Sequence, residues 1–222
     1  MILCLVTDRR RLGAALGVGP GDWIDALRAL IRAAAAAGVD LVQVREPDLE
    51  ARALADLVRL VVADTRDTSS RILVNDRLDV ALVTGAAGVH LKERSFTTAA
   101  ARRLSPAGFL VGRSIHGQAA ASAAADADYL IAGTVLPTVS KPSAVCLGWD
   151  GLAGVVSAAA GRPVLAIGGV DLPSIPLVAA SGAAGLAAIG AFLPDPGARM
   201  DEFVQKRVMV MRLGFDSAHP VS

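Results

Sequence analysis

Polar side chains of the kinds used in catalysis stand at or just after the ends of short apolar runs in this 222-residue sequence. They include carboxylates, amides, histidines and cations. Such groups can bind an anion, hold a divalent cation or move a proton between atoms of a ligand. In chain order they are Thr7, Asp8, Arg9, Gln43, Arg45, Glu46, Asn75, Asp76, Arg77, His90, Lys92, Arg113, Ser114, His116, Thr134, Thr138, Ser140 and Lys141.

Two later apolar runs end in glycine and are joined by one helix-length segment. A strand, a tight glycine turn and a helix N-terminus together present unpaired backbone N–H groups in a positive field, which suits phosphate. The alternative is that the glycines only permit tight turns and close packing. We expect Gly169→Val to weaken phosphate binding and to leave folding largely intact. The predicted phosphate-binding residues are Gly168, Gly169, Ile189 and Gly190.

The two histidines His90 and His116 have different surroundings in the sequence. His116 follows Gly112-Arg113-Ser114-Ile115, at a predicted strand end and before a predicted helix. An imidazole in that position can accept a proton near neutral pH, so we predict that His116 transfers a proton. His90 follows the apolar pair Gly88-Val89 and has two interpretations: a ligand-binding residue, or a core histidine whose nitrogens bind backbone groups.

Two other polar clusters also have two interpretations. Asn75 and Asp76 can contact a ligand, cap the following helix, or do both. Lys141 is either an ordinary loop lysine or, with Thr138 and Ser140, part of a flap that closes over phosphate.

The elements that must position these residues alternate between strand and helix, which predicts a closed parallel (β/α)₈ barrel whose active site lies at the C-terminal ends of the strands. We expect one domain over residues 1–222, frayed from Asp216 to Ser222. The predicted strands are Met1–Val6, Val39–Val44, Arg71–Val74, Gly88–Leu91, Phe109–Val111, Tyr129–Ala132, Pro163–Ile167 and Leu186–Ile189. After a Gly/Pro-rich connection (Gly13–Gly21), the predicted helices are Asp22–Ala37, Leu49–Ala63, Leu78–Thr84, Thr97–Leu104, 118–125, Trp149–Ala160, Leu172–Ser181 and Ala198–Leu213.

Composition narrows the class of partner. A formal net charge of +1 and 4% aromatic residues give no argument for binding nucleic acid or an anionic membrane. The alanine-rich run Ala26–Ala37 contains Arg28 and Arg32, so it is predicted to be a helix face and not a membrane span. The opening strand is too short and uncharged for a secretory signal, and the two cysteines, Cys4 and Cys146, fit a reduced, cytoplasmic protein.

Taken together in order, these motifs resemble the thiamine phosphate synthase and TenI superfamily. The resemblance implies a (β/α)₈ barrel, a homo-oligomer, and a ligand that is the phosphorylated thiazole half of thiamine. The motifs are Leu5-Val6-Thr7-Asp8-Arg9, Val42-Gln43-Val44-Arg45-Glu46, Val74-Asn75-Asp76-Arg77, Gly88-Val89-His90-Leu91, Asp128-Tyr129, Pro137-Thr138-Val139-Ser140-Lys141 and Ala166-Ile167-Gly168-Gly169-Val170.

The sequence departs from the synthase pattern at two positions. Pro47 stands where the synthase has a lysine on pyrophosphate, and proline has neither the charge nor an N–H donor. Ser95 stands where the synthase has an aspartate that helps hold Mg²⁺, which would leave Asp76 as the metal's one carboxylate ligand. Both departures lie on the metal–pyrophosphate side and argue against the synthase reaction.

The resemblance to TenI, a thiazole tautomerase, rests on the run Gly112-Arg113-Ser114-Ile115-His116. It implies aromatisation of a phosphorylated dihydrothiazole carboxylate by proton transfer through His116, with no metal or other cofactor. Gln43 and Arg45 would bind the ring and carboxylate. The alternatives are a residual synthase using Mg²⁺ and a non-catalytic thiazole phosphate-binding protein. The predicted substrate-binding residues are Gln43, Arg45, Asn75, Asp76, His90, Arg113, Ser114, Thr138, Ser140 and Lys141.

Overall fold

The computed structural model describes residues 1–138 and 145–218. Within these ranges eight parallel strands close into a barrel in which each strand pairs with its neighbours in sequence order, so the predicted (β/α)₈ barrel is confirmed. Helices connect the strands along the chain. The strands are β1 (Ile2–Val6), β2 (Leu41–Val44), β3 (Arg71–Asn75), β4 (Gly88–Leu91), β5 (Leu110–Ile115), β6 (Tyr129–Gly133), β7 (Val164–Ile167) and β8 (Gly185–Ala188).

The helices bury one face. In α2, for example, Leu27, Leu30, Ile31 and Ala34 recur at helical spacing and are buried. Short 3₁₀ turns occur at Pro20–Asp22, Leu172–Ser174 and Gly190–Phe192. The α-helices of the described ranges are α1 (Arg9–Leu16), α2 (Trp23–Ala36), α3 (Ala51–Asp64), α4 (Leu78–Thr84), α5 (Thr98–Leu104), α6 (Gln118–Ala123), α7 (Gly148–Ala158), α8 (Ile175–Ala180) and α9 (Met200–Asp216).

Several elements differ from their predicted bounds by a few residues, and two differences affect the site. The connection after β1 contains the helix α1, whose N-terminus is capped by the Asp8 side chain and whose C-terminus is closed by Gly17 in the left-handed conformation. Strand β5 continues to Ile115 and not to Val111, because its residues from Gly112 onward pair in parallel with β6. Arg113 and Ser114 are therefore strand residues.

The chain divides into two compact parts. The first part comprises Cys4–Val89 with Ala188–Val210, and the second comprises His90–Ala187 with both chain ends. In the first part, Val6 is in register with Gln43, and Val44 with Val74, so the C-terminal ends of β1, β2 and β3 lie side by side. Within the described residues, none of the helices combines the length and apolar character needed to cross a membrane.

Candidate active site

At the ends of β1 and β2, a buried carboxylate is held by three donors. Glu46 accepts hydrogen bonds from the Thr7 hydroxyl (2.7 Å), the Arg9 backbone N–H (3.1 Å) and the Arg9 guanidinium (2.9 Å). Arg9 also binds Asp48 through both terminal nitrogens, at 2.7 and 2.6 Å. The Glu46 and Arg9 side chains are only 3% and 9% exposed, so this ion pair fixes the β2–α3 loop from inside.

The two carboxylates of this cluster respond differently to their surroundings. Burial raises the pKa of Glu46, against the opposing effects of Thr7 and Arg9. The Arg9 guanidinium holds the pKa of Asp48 well below its usual range. Asp48 is therefore an ion-pair partner at neutral pH and not a proton donor.

Two predicted ligands, Gln43 and Asn75, contact each other in the first part. The Gln43 side-chain amide donates to Asn75 Oδ1 over 2.8 Å, and Gln43 itself is buried. Arg45 is half-buried and, with Arg10 and Pro47, lines a cavity of about 170 Å³. Binding of the thiazole ring and carboxylate by Gln43 and Arg45 stays a prediction.

Asp76 has a backbone conformation that a helix cap does not explain. Its φ of 64° lies in the left-handed region, which is uncommon for a residue other than glycine and is often found at functional sites. The cap position of α4 is Arg77, which makes no side-chain cap hydrogen bond. Whether Asn75 and Asp76 cap the helix, contact a ligand or do both therefore stays a prediction.

In the second part, His90 lies between two hydroxyl groups. Its Nδ1 is 2.9 Å from the Tyr129 hydroxyl and its Nε2 is 2.8 Å from Ser114 Oγ. His90 is 1% exposed, Tyr129 is buried and Ser114 is half-buried. The core-histidine interpretation is right about burial, and both ring nitrogens hydrogen-bond side-chain hydroxyls.

Arg113 binds the loop that follows β4. Its guanidinium donates to the carbonyl oxygens of Phe96 (2.6 Å), Glu93 (2.5 Å) and Ser95 (3.3 Å). These bonds hold the loop in place against β5, which is a structural task. Substrate binding by Arg113 stays a prediction.

His116 follows β5 directly and is exposed. Its backbone N–H donates to Glu93 Oε1 over 3.2 Å, and its Nδ1 hydrogen-bonds the carbonyl oxygen of Gly133. Because a carbonyl oxygen only accepts, the hydrogen of the neutral ring is on Nδ1, and Nε2 keeps its lone pair. The arrangement leaves Nε2 able to accept a proton.

The glycines after β7 have conformations that other residues adopt only with strain. Gly168 and Gly169 have φ values of 95° and 70°. A Cβ on Gly169 would lie 2.5 Å from the carbonyl oxygen of Leu136. The expectation that Gly169→Val leaves folding largely intact is therefore wrong, since both the backbone conformation and the packing require glycine.

Substitution of Gly190, after β8, tests the predicted phosphate contact with less risk to folding than substitution of Gly169. Its φ is outside the left-handed range, and a Cβ there would first meet the Arg11 guanidinium at an ordinary 3.5 Å. Gly190→Ala is expected to fold normally and to bind thiazole phosphate about tenfold more weakly, because the methyl group displaces an anion from a charge-assisted N–H contact. Calorimetric titration measures this, and Gly21→Ala, which places a methyl group in open space, is the control. Equal affinity of Gly190→Ala and the parent would contradict the phosphate assignment.

Two predicted ligands, Ser140 and Lys141, lie outside the described residues, and Thr138 is the last residue described before them. In the described ranges no three His, Cys, Asp or Glu side chains gather as a metal-binding group. Sequence reasoning placed Arg9 at a strand end without its carboxylate partners, and it did not place Tyr129 in a polar cluster. The available signal for Arg9 was its place after β1, since β1 pairs with the strand that precedes Glu46 and Asp48.

A search of protein families finds that the thiamine monophosphate synthase (TMP-TENI) family matches residues 16–192. The chain belongs to this family. The similar proteins of the family include a putative thiamine-phosphate synthase of Geobacter sulfurreducens, 42% identical over 89% of both chains. The thiamine-phosphate synthase of Methanoregula boonei is 39% identical over 75% of this chain and 78% of its own.

A solved structure of the thiamine monophosphate synthase family has the same barrel. Thiamine phosphate pyrophosphorylase from Pyrococcus furiosus superposes with a TM-score of 0.78 at 29% identity, covering 98% of this chain and 96% of its own. Membership of the family makes this chain an enzyme of thiamine biosynthesis by descent. The names of these relatives favour the transferase reaction over the tautomerase reaction.

Proposed function

We propose that this chain is a thiazole tautomerase that acts on a phosphorylated dihydrothiazole carboxylate. The observation that carries the proposal is the hydrogen bond from His116 Nδ1 to the Gly133 carbonyl, which leaves the lone pair on Nε2 of this exposed residue. A base with this geometry can take a proton from a ring carbon and return it to a carbon outside the ring, which leaves the ring aromatic. The reaction is an isomerisation, so no oxidant, reductant or leaving group is required.

Two further contacts support His116 as the base. The Glu93 carboxylate accepts the His116 backbone N–H, and the same loop is held by the Arg113 guanidinium. The imidazole is therefore anchored at both its backbone and its Nδ1. An anchored base needs less reorganisation before proton transfer than one on a mobile loop.

The second candidate is the thiamine phosphate synthase reaction, which the names of the relatives favour. In the synthases that the sequence resembles, this reaction uses Mg²⁺ held by two aspartates. Here Ser95 occupies one of those positions, and its hydroxyl is a weaker ligand for a hard cation than a carboxylate. Pro47 adds no cation for pyrophosphate. The residues present do not fit the metal–pyrophosphate group.

One experiment separates the candidates. The protein is incubated with the dihydrothiazole carboxylate phosphate, and separately with the pyrimidine pyrophosphate, thiazole phosphate and Mg²⁺, and both products are followed by chromatography. We expect turnover of the first substrate, and synthase turnover far below the ~1 per second typical of enzymes. Robust thiamine phosphate formation would replace the tautomerase with the synthase. Binding of thiazole phosphate without either reaction would indicate a non-catalytic protein.

A further inference from the structure

The buried residues Tyr129 and His90 and the half-buried Ser114 form a continuous series of hydrogen bonds. It runs from the Tyr129 hydroxyl through the two ring nitrogens of His90 to Ser114 Oγ, with steps of 2.9 and 2.8 Å. Only its Ser114 end is half-buried, one residue along the same strand from Arg113 and two before His116. These hydrogen bonds therefore connect the interior of the second part to the residues that precede the proposed base.

The Tyr129 ring is fixed in place by its packing. Tyr129 is in register with Gly112 on β5, and a Cβ on Gly112 would lie 2.2 Å from the Tyr129 ring. The ring thus lies directly on the Gly112 backbone, where a larger residue would collide with it. Its centroid is 5.5 Å from that of His90. Glycine at 112 is what allows the hydroxyl to reach His90 Nδ1.

A neutral imidazole supplies one donor and one acceptor, so the hydrogens of this chain all point the same way. A phenol is a more acidic donor than an aliphatic hydroxyl, which favours donation from Tyr129 to Nδ1 of His90. Nε2 of His90 then carries the hydrogen and donates to Ser114 Oγ. With its oxygen already accepting from His90, Ser114 directs its own hydrogen outward.

We propose that Tyr129 is a positioning residue that acts through His90 to make Ser114 a hydrogen-bond donor to the ligand. The ligand group it serves is an acceptor with a lone pair, such as a ring nitrogen or a carboxylate oxygen. This inference rests on the proposed function for the identity of the ligand, a thiazole phosphate. It does not depend on which of the two reactions the enzyme performs.

The first test is the affinity for thiazole phosphate, measured by calorimetry in a double-mutant cycle. Tyr129→Phe keeps the ring on Gly112 and removes only the hydroxyl, so the fold is retained, which circular dichroism checks. We expect Tyr129→Phe to weaken binding about fivefold to tenfold, roughly the value of one hydrogen bond. In a Ser114→Ala background, Tyr129→Phe is expected to weaken binding no further, because the Ser114 hydroxyl through which Tyr129 acts on the ligand is absent. Additive losses would overturn the proposal.

The second test reads the His90 tautomer directly and needs no ligand. In the parent protein, ¹⁵N NMR of His90 is expected to show the hydrogen on Nε2, and Tyr129→Phe is expected to shift population toward the Nδ1–H form. A parent with the hydrogen on Nδ1 would overturn the inference. If the parent fails to bind thiazole phosphate, the proposed function fails, and the NMR result alone still decides the role of Tyr129.

Discussion

His116→Asn is expected to lower the catalytic constant of thiazole tautomerisation by ~10²–10⁴-fold, the usual cost of removing a well-placed general base. Asparagine can keep a hydrogen bond to the Gly133 carbonyl, which the imidazole makes through Nδ1. It has no nitrogen lone pair that can accept a proton at neutral pH. The dissociation constant for thiazole phosphate should change little, because the imidazole is assigned to proton transfer and not to holding the ligand.

His90→Asn is the comparison for this prediction. His90 is buried between Tyr129 and Ser114, so its replacement should act on stability and on ligand positioning and should lower the rate less than His116→Asn does. Steady-state kinetics on both variants give the catalytic constant and the Michaelis constant separately. If His116→Asn turns the tautomer over at the parent rate, the base must be sought among Glu46, Asp76 and His90.

Arg9→Met is expected to reduce the free energy of unfolding by about 3 kcal/mol at neutral pH, the cost of leaving a buried charge without its partner. Glu46 is 3% exposed at its side chain and would lose its hydrogen bond from the guanidinium, together with its only paired cation among the contacts described for it. Methionine retains most of the apolar stem, so the loss reports the charge more than the packing. Urea-induced unfolding followed by circular dichroism measures it.

The effect of Arg9→Met should depend on pH. Without Arg9, the pKa of the buried Glu46 rises further above its ordinary value in the folded state, in the direction that burial already drives it. A carboxyl with a raised folded pKa contributes most stability when protonated, and that contribution is lost as pH rises through the raised value. The difference in unfolding free energy between variant and parent should therefore narrow as the pH is lowered from neutrality.

Arg10→Met is the matched control for this pair. Arg10 binds only the outer carboxylate Asp48 among its described contacts, and its side chain is 64% exposed. An exposed ion pair is worth about 1 kcal/mol or less, so Arg10→Met should unfold close to the parent. Equal loss of unfolding free energy in Arg9→Met and Arg10→Met would show that the buried Arg9–Glu46 contact adds no more stability than an exposed ion pair.

The strand and helix order of this protein was determined by local sequence. Apolar runs such as Ile2–Val6 and Val164–Ile167 alternate with amphipathic segments such as Ala51–Asp64, and that alternation is sufficient to predict a parallel barrel. The short helix Arg9–Leu16 was missed because it contains three arginines and a glycine and is followed by a glycine- and proline-rich stretch. Its start was readable in the sequence as Asp8, a favoured cap residue.

The types of residue at the strand ends were also readable from the sequence, whereas their partners were not. The pattern could place Arg113 and Ser114 near the ligand, but only the barrel order, in which β5 lies beside β4, put Arg113 against the loop carbonyls of Glu93 and Phe96. In the same way, the sequence allowed His90 to be either a ligand-binding residue or a core residue. Its contact with Tyr129, 39 residues away, depends on strand register, which no local pattern encodes.

The sequence by itself therefore determined the barrel and the chemical groups offered at the strand ends, because these follow from periodicity and residue type. Its ordered motifs indicated the family by resemblance. Tertiary structure alone decided which of these groups bind one another. Arg9 and Glu46 form an ion pair with each other. Position 169 requires glycine because a Cβ there would collide with the Leu136 carbonyl. His116 keeps a nitrogen lone pair because the carbonyl that binds its other nitrogen belongs to the next strand. Such assignments depend on distances between residues far apart in the chain, which only the closed set of parallel strands fixes.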